Sequence, residues 1–234
     1  MRKVSILTCS LFLCVSLLGQ ESKPILDPGD PNQPPEPTIN FSQVWDQGLP
    51  PFFSVSISAS GRAAYQSTPD TENKSGDPYE VRFTASSETR KKIFDLAQKL
   101  NYFQGSWDFT KGKIAFTGKK TLRWKNGTQS FETSYNWSSN VSIQELTSLF
   151  QDISGTVELG RKLAEKYRYD KLGVDAELKS LEAAAKDNQL AELQIIQPLL
   201  SKLAKDTSLM NISRRRAEFL LSKVPKDAQI AASQ

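Results

Sequence analysis

The chain has 234 residues, of which 38% are hydrophobic and 24% charged, and its formal net charge at pH 7 is +4. It contains no histidine, and its only two cysteines, Cys9 and Cys14, lie within residues 1–20. The rest of the chain therefore excludes a disulfide, a thiol nucleophile, a thiolate or imidazole metal site and a Ser-His-Asp triad. We predict no catalytic residue, no metal site and no cofactor, and we favour a non-enzymatic function.

Residues 1–20 have the pattern of a secretory signal peptide. Arg2 and Lys3 precede an apolar and small-residue run from Val4 to Leu18, which Gly19-Gln20 ends. This run is shorter than the ~20 residues that a membrane span needs. We predict a cleaved signal, export to the periplasm or beyond, and no stable membrane span after cleavage. An uncleaved N-terminal anchor is the alternative. Loss of Arg2 and Lys3 lowers the formal charge to +2, so the mature chain is nearly neutral.

Residues 21–51 hold eight of the twelve prolines and few aliphatic side chains. This composition predicts an extended, proline-rich tether. The exception is the stretch from Ile39 to Leu49, where Phe41, Val44 and Trp45 lie close together. That stretch is predicted to form a short helix or to dock as an arm on the folded part.

Residues 52–103 alternate between apolar and polar side chains, as half-buried strands do. One strand holds Phe53, Val55 and Ile57, a second follows Gly61, and a third runs from Tyr79 to Ala85. Ser86 or Ser87 then begins a helix. Its apolar residues recur at helical spacing: Ile93, Leu96, Ala97, Leu100 and Phe103.

Residues 113–153 repeat this order of elements. Three short strands are predicted between Lys113 and Trp137, with an Asn126-Gly127 hairpin, because this dipeptide favours a type I′ turn. One face is predicted to be apolar and to include Trp124, while Arg123 lies on the polar face. The capping-box sequence Ser142 to Glu145 predicts a helix from Ile143 to Ile153.

Residues 79–87 and 131–139 match in one register, so that Glu80 matches Glu132, and further upstream Gly61 pairs with Gly118. This predicts an α+β domain over residues 52–154, built from two βββα units (residues 52–103 and 113–153) in one antiparallel sheet. Both helices are expected on one face of the sheet. The alternative is that any hairpin followed by a capped helix has this pattern.

From Gly155 the pattern changes to helices. Residues 155–225 predict an all-α helical subdomain, with Thr156 capping the first helix and Pro198 forcing a kink or a fresh start in the third. Residues 226–234 are predicted to be a disordered tail. Arg214 to Arg216 is a run of three like charges, and we interpret it as a solvated helix face.

The predicted binding residues are the charged groups on the polar face of the sheet: Arg62, Glu80, Arg82, Arg123, Lys125 and Glu132. Serines and threonines complete this face, at Ser54, Ser56, Ser58, Thr84, Ser130 and Ser134. Such a face is either simply solvated or binds a partner. Glu80 and Glu132 are expected to be ion-pair partners of Arg82, Arg123 or Lys125.

These features favour an exported binding or scaffold module of the bacterial envelope whose partner is an unknown protein or another envelope component. No basic stripe of the kind that binds nucleic acid is present in the sequence. The alternative is a hydrolase of envelope glycans that uses two carboxylates. For that reaction, Asp108, which lies between Trp107 and Phe109, is the acid with the most suggestive surroundings.

Overall fold

The computed structural model describes residues 35–68 and 78–225. The predicted signal peptide (residues 1–20), residues 21–34 of the predicted tether and the predicted tail (residues 226–234) lie outside the described residues. Most of the loop between the second and third predicted strands, residues 69–77, lies outside them as well.

The described residues form one sheet of six antiparallel strands. In chain order, these are β1 (Thr38–Val44), β2 (Phe52–Ser58), β3 (Arg62–Ser67), β4 (Tyr79–Thr84), β5 (Lys119–Asn126) and β6 (Gln129–Tyr135). Their order across the sheet is β4-β3-β2-β1-β5-β6. The predicted strands at β2, β3 and β4 and the hairpin between β5 and β6 are confirmed. The predicted Asn126-Gly127 turn is wrong, because Asn126 still pairs with Gln129 and the chain turns at Gly127 and Thr128.

Five α-helices accompany the sheet in the described part of the chain. They are α1 (Ser87–Lys99), α2 (Val141–Tyr169), α3 (Val174–Lys186), α4 (Gln197–Lys205) and α5 (Asn211–Leu221). Short 3₁₀ segments lie at Asn101–Phe103 and Leu193–Ile196. No helix within residues 35–68 or 78–225 combines the length and apolarity needed to cross a bilayer. The α+β class is confirmed.

Helices α1 and α2 cover the same face of the sheet, as predicted. Ile93 of α1 and Phe150 of α2 are fully buried in one hydrophobic core with the inward side chains of the strands. Trp124 is 7% exposed on this inner face, while Arg123 beside it lies on the exposed outer face. Ser86 caps α1 as expected, because its Oγ accepts a hydrogen bond from the Thr89 N–H at 3.2 Å.

Residues 38–44 form neither a tether nor the short helix predicted as the exception within it. These residues form β1, the strand that pairs with both β2 and β5 near the centre of the sheet. Ile39 and Phe41 are fully buried, and the Phe41 ring stacks on Phe150 with centroids 5.1 Å apart. The dense prolines of residues 24–37 hid a short alternating pattern, Ile39, Phe41 and Gln43 inward and Thr38, Asn40 and Ser42 outward, that is typical of a strand.

The strand predicted at Lys113 to Phe116 is also wrong. This segment is irregular and exposed, with Phe116 64% exposed. The place beside β5 that it would have occupied is taken by β1, which pairs with β5 from Thr38↔Lys125 to Val44↔Lys119. A strand can pair on only two sides, so β1 and β6 leave no free edge on β5.

The predicted duplication corresponds to a two-fold relation in the strand pairing. Phe41 pairs with Val55 at the centre. The inward row Ile57, Ala63 and Phe83 on one side corresponds to the row Gln43, Lys120 and Tyr135 on the other. This relation places Glu80 on Glu132 and Gly61 on Gly118, the register read from the sequence. In this relation β1 takes the place of the first strand of the second unit, although it precedes both units in the chain.

Helix α2 crosses the predicted domain boundary between residues 154 and 155 without a break. It begins at Val141, where Asn140 Oδ1 accepts hydrogen bonds from the Ser142 and Ile143 N–H groups, so the predicted cap at Ser142 is wrong. Thr156 does not cap a second helix, because it lies inside α2. Its hydroxyl donates to the Ala191 carbonyl at 2.7 Å. A glycine inside a helix, here Gly155, costs only ~1 kcal/mol, so it does not end a helix that packs on both sides of it.

The later helices bury a second hydrophobic core with the C-terminal part of α2. Its fully buried members include Leu163, Leu178, Leu200 and Leu220. Pro198 lies in the first turn of α4, which confirms the fresh start predicted there. Glu192 links the two cores, since its carboxylate accepts the Ser86 N–H at 2.8 Å and the Ser86 hydroxyl at 2.7 Å.

The two glycines of α2 are predicted to respond in opposite ways to alanine. A Cβ on Gly160 would lie 2.3 Å from Cγ2 of Ile196, whereas a Cβ on Gly155 would meet nothing closer than 3.9 Å. Gly160→Ala is therefore expected to lower the free energy of unfolding by about 1–3 kcal/mol through overpacking. Gly155→Ala is expected to raise it by about 0.5–1 kcal/mol through helix propensity. Urea unfolding of both variants tests this pair, and stabilisation by both would contradict the close packing of Ile196 on α2.

Candidate functional site

The two halves of the sheet differ in the chemistry of one inward row. In the first half this row is Ile57, Ala63 and Phe83, which are buried and apolar. In the second half the corresponding residues are Gln43, Lys120 and Tyr135, which are at most 9% exposed and carry polar groups. Burying a polar group in a core costs free energy unless the group forms hydrogen bonds or interacts with a ligand. This row therefore marks the part of the sheet where a function is most readily placed.

Lys120 is the most unusual member of the row, because a lysine is rarely 5% exposed. Its Nζ donates to the carbonyl oxygens of Asn136 at 2.9 Å, Thr117 at 3.1 Å and Gly118 at 3.3 Å, and it lies 3.0 Å from the Thr117 hydroxyl. These partners are neutral dipoles. No acidic group of the described residues forms an ion pair with Lys120. Burial lowers the pKa of this ammonium group.

A cavity of about 330 Å³ lies beside Lys120, between the ends of β1, β5 and β6 and the first turns of α2. The residues that line it are Gln43, Trp45, Thr117, Lys120, Tyr135, Asn136, Trp137, Ser138, Ile143, Gln144, Thr147, Ser148 and Gln151. None of them is acidic. The cavity has the size of a small-molecule site, and Lys120 brings the only formal charge of its lining.

The floor of the cavity is held in place by a hydrogen-bond network. The hydroxyls of Tyr135 and Thr147 are 2.7 Å apart, and the Gln151 amide donates to Gln43 Oε1 at 2.9 Å. Burial raises the pKa of Tyr135 to about 12, so its hydroxyl stays protonated at neutral pH. These contacts tie α2 to β1 and β6, and they fix the polar groups before any ligand enters.

Two tryptophans form the walls near the opening. Trp45 follows β1 and is half-buried, while Trp137 follows β6 and is 37% exposed. Phe109 meets Trp137 edge-on, with ring centroids 5.2 Å apart, and its N–H donates to the Trp137 carbonyl at 2.8 Å. The fixed loop therefore presents one indole to solvent. Flat aromatic walls with amides and hydroxyls between them suit a ligand that contains a ring.

Gly118 packs closely against Trp45, one of the residues that line the cavity. Its φ is +99°, and a Cβ at this position would lie 2.7 Å from Cβ of Trp45 and 2.9 Å from the Val44 carbonyl oxygen. A side chain would be strained there and would displace Trp45. This glycine allows Trp45 to approach the turn whose carbonyls bind Lys120.

The charged residues predicted as a binding face lie on the outer face of the sheet, away from this cavity. They pair with one another or with a neighbouring loop: Arg82 with Glu80 at 3.0 Å, Arg123 with Glu132, and Arg62 with Glu36. Lys125 is exposed on the same face. The predicted pairing of Glu132 with Arg123 across two strands is confirmed, whereas Glu80 pairs with Arg82 of its own strand and not across the sheet. The prediction that this face binds a partner stays a prediction.

Asp108, the acid considered for hydrolysis, contacts backbone. Its Oδ1 accepts hydrogen bonds from the N–H of Asn136 at 2.9 Å and of Trp137 at 3.4 Å. This contact orders the loop that carries the Trp137 wall. Asp108 itself is exposed, whereas Glu158 is buried. The Glu158 carboxylate accepts hydrogen bonds from the hydroxyls of Tyr65 at 2.8 Å and Ser67 at 2.7 Å and pairs with Arg161 at 2.7 Å, so it is already satisfied inside the fold.

Sequence reasoning missed Gln43, Trp45 and Lys120. Lys120 could have been identified from its position in the alternation of β5. It stands two residues before Leu122 and four before Trp124, so its side chain shares their inward face. The signal for Gln43 depended on recognising β1 as a strand. Comparison of the chain with protein-family models and with curated proteins found no match.

Proposed function

We propose that this protein is an exported, non-enzymatic binding module of the bacterial envelope and that its ligand enters the cavity beside Lys120. One observation supports this most directly. A buried ammonium group without an acidic partner borders a cavity that has two tryptophan walls and no carboxylate.

The electrostatics favour an anionic ligand. Neutral carbonyls satisfy the protons of Lys120 but leave its unit charge uncompensated, and a charge taken out of water is costly without an opposite charge. A carboxylate or phosphate in the cavity would offset that cost. It need not displace the carbonyls, because Coulomb attraction acts over several ångströms at the low effective dielectric of a partly buried site.

The walls favour a ring attached to that anion. Trp45 and Trp137 offer flat apolar faces, and Asn136, Gln144 and Gln151 offer amide groups between them. This combination matches a sugar acid or an aromatic acid. The same composition does not suit the paired-carboxylate hydrolase, whose two acids must flank the scissile bond, because the lining contains none.

Binding of a sugar acid is expected to be measurable and to depend on its charge. Glucuronate should quench or shift tryptophan fluorescence at lower concentration than glucose does. Trp137→Ala should weaken glucuronate binding by about tenfold, which corresponds to the ~1.4 kcal/mol typical of an aromatic contact. Benzoate and benzyl alcohol provide the same charge comparison for an aromatic ring.

The matched control replaces a second lysine. Lys120→Met should remove the preference for the acid over its neutral analogue, whereas Lys125→Met, on the outer face, should leave it unchanged. Circular dichroism of each variant shows whether it is folded. Equal affinity for the acids and for their neutral analogues in the wild-type protein, or no binding of any of the four compounds, would contradict the proposal.

A further inference from the structure

The turns α2–α3 and α4–α5 lie together at one end of the helical part. Lys171 Nζ in the first turn donates to the Ser208 hydroxyl in the second at 2.7 Å and lies 3.4 Å from Asp206. Ser213 in α5 donates to Asp175 in α3 at 2.9 Å. We call this end, residues 166–173 and 202–216, the basic tip.

Large apolar side chains project into solvent at the basic tip. Leu172 is 86% exposed, Tyr169 72%, Ile212 52% and Met210 50%. They belong to two separate turns that the contacts above bring together. Single exposed apolar residues are ordinary on a protein surface, but a group of four at one projecting end indicates an interaction surface.

The same end is strongly cationic. Residues 166–173 and 202–216 contain eight basic residues and two acidic ones. Both acids are already engaged, Asp170 with Lys166 at 3.1 Å and Asp206 with Lys171. Lys171 and Lys202 both lie over the ring of Tyr167, at 5.5 and 5.1 Å from its centroid. Arg216 is paired as well, with Asp175 and Glu182. The other five basic residues form no ion pair with the described residues and are free to meet an external anion: Arg168, Lys202, Lys205, Arg214 and Arg215.

We propose that the basic tip docks on the surface of a bilayer that contains anionic phospholipid. Exposed leucine, isoleucine and methionine side chains enter the boundary between headgroups and acyl chains, while lysine and arginine side chains meet the phosphates. Charge complementarity selects this occupant. The apolar group is mainly aliphatic, whereas a single-stranded nucleic acid is usually held by stacking on aromatic side chains. This inference is independent of the cavity and of its ligand.

Co-sedimentation of the protein, purified from cells that export it, with lipid vesicles tests the proposal. We expect binding to vesicles made of equal parts phosphatidylglycerol and phosphatidylcholine, and weak binding to vesicles of phosphatidylcholine alone. An apolar leader left on the chain would bind both kinds of vesicle, so the difference between them reports on the basic tip. Added salt should reduce this difference, because it screens the phosphates.

Two variants test the apolar and the electrostatic contributions to vesicle binding separately. Leu172→Ser should weaken binding to the anionic vesicles by about tenfold, the effect of withdrawing one leucine from the interface. Arg215→Glu should weaken it by about tenfold or more, since each basic residue near the surface contributes roughly fivefold. The matched controls, Leu49→Ser and Lys125→Glu, change an exposed leucine and an exposed lysine elsewhere. They should bind like the wild-type protein.

Three outcomes would overturn the proposal. The first is equal binding to both kinds of vesicle, or binding to neither. The second is equal loss of binding in the tip variants and in the controls. The third is tighter binding to single-stranded RNA than to anionic vesicles, unaffected by Leu172→Ser, which would assign the basic tip to nucleic acid instead.

Discussion

Replacing Phe41 by alanine is expected to lower the free energy of unfolding by about 3–5 kcal/mol, the usual cost of truncating a buried phenylalanine. Phe41 is fully buried on β1, and its ring lies parallel to that of Phe150 at 5.1 Å and near Phe53 at 5.7 Å. Truncation would leave a cavity between the sheet and α2. Urea unfolding, followed by far-UV circular dichroism, measures the loss.

The neighbouring residue provides the control. Ser42 lies on the outer face of the same strand, so Ser42→Ala should change stability by no more than about 0.5 kcal/mol. A tether or a loosely docked arm would make both substitutions nearly neutral. A small effect of Phe41→Ala would therefore contradict the central position of β1.

Alkaline pH is expected to destabilise the fold by about 2 kcal/mol between pH 10 and pH 12 through Tyr135 alone. Burial raises the pKa of Tyr135 from 10.0 to about 12. In that pH range the unfolded chain has lost the phenolic proton while the folded chain keeps it. The unfolded state then binds fewer protons, so stability falls as pH rises. The pKa of Tyr65 is also raised, by burial and by Glu158, and acts in the same direction.

Comparison of variants at each pH isolates this effect. Lys120 has the opposite dependence, since its lowered pKa makes the folded state gain stability as pH rises toward 10.5. Tyr135→Phe keeps Lys120 and should make the decline above pH 10 shallower by about 2 kcal/mol. Tyr169→Phe, at a side chain that is 72% exposed, should follow the wild-type profile. Identical profiles for the wild-type protein and Tyr135→Phe would show that the Tyr135 hydroxyl is not held protonated by the fold.

Local patterns predicted the parts of the fold that depend on local geometry. The alternation in residues 52–58 and 129–135 and the Ser86 cap each act within a few residues, and each is present. Which segment pairs with β5 depends on competition between segments that are far apart in the sequence. Residues 38–44 and residues 113–116 both alternate between apolar and polar side chains. Residues 38–44 pair with β5 because Ile39 and Phe41 are buried against α2 and the neighbouring strands. No local rule ranks the two.

The candidate site was harder to predict for the same reason. Its chemistry lies in Gln43, Lys120 and Tyr135, three inward residues from three strands, and each is unremarkable in the sequence. The charged residues that alternation places on the outer face were conspicuous, but they pair mainly with one another. The basic tip was missed because its charges come from residues 166–171 and 202–216, which only the helix packing brings together.

The length of α2 sets the distance between the cavity and the basic tip. The helix has 29 residues, so it extends about 43 Å at 1.5 Å per residue. Its first turns border the cavity, and its last residue, Tyr169, belongs to the basic tip. If the tip rests on a bilayer with α2 upright, the cavity opens several headgroup thicknesses above the lipid. At that height it meets soluble compounds and the polymers that surround a cell, and it is out of reach of the lipids themselves.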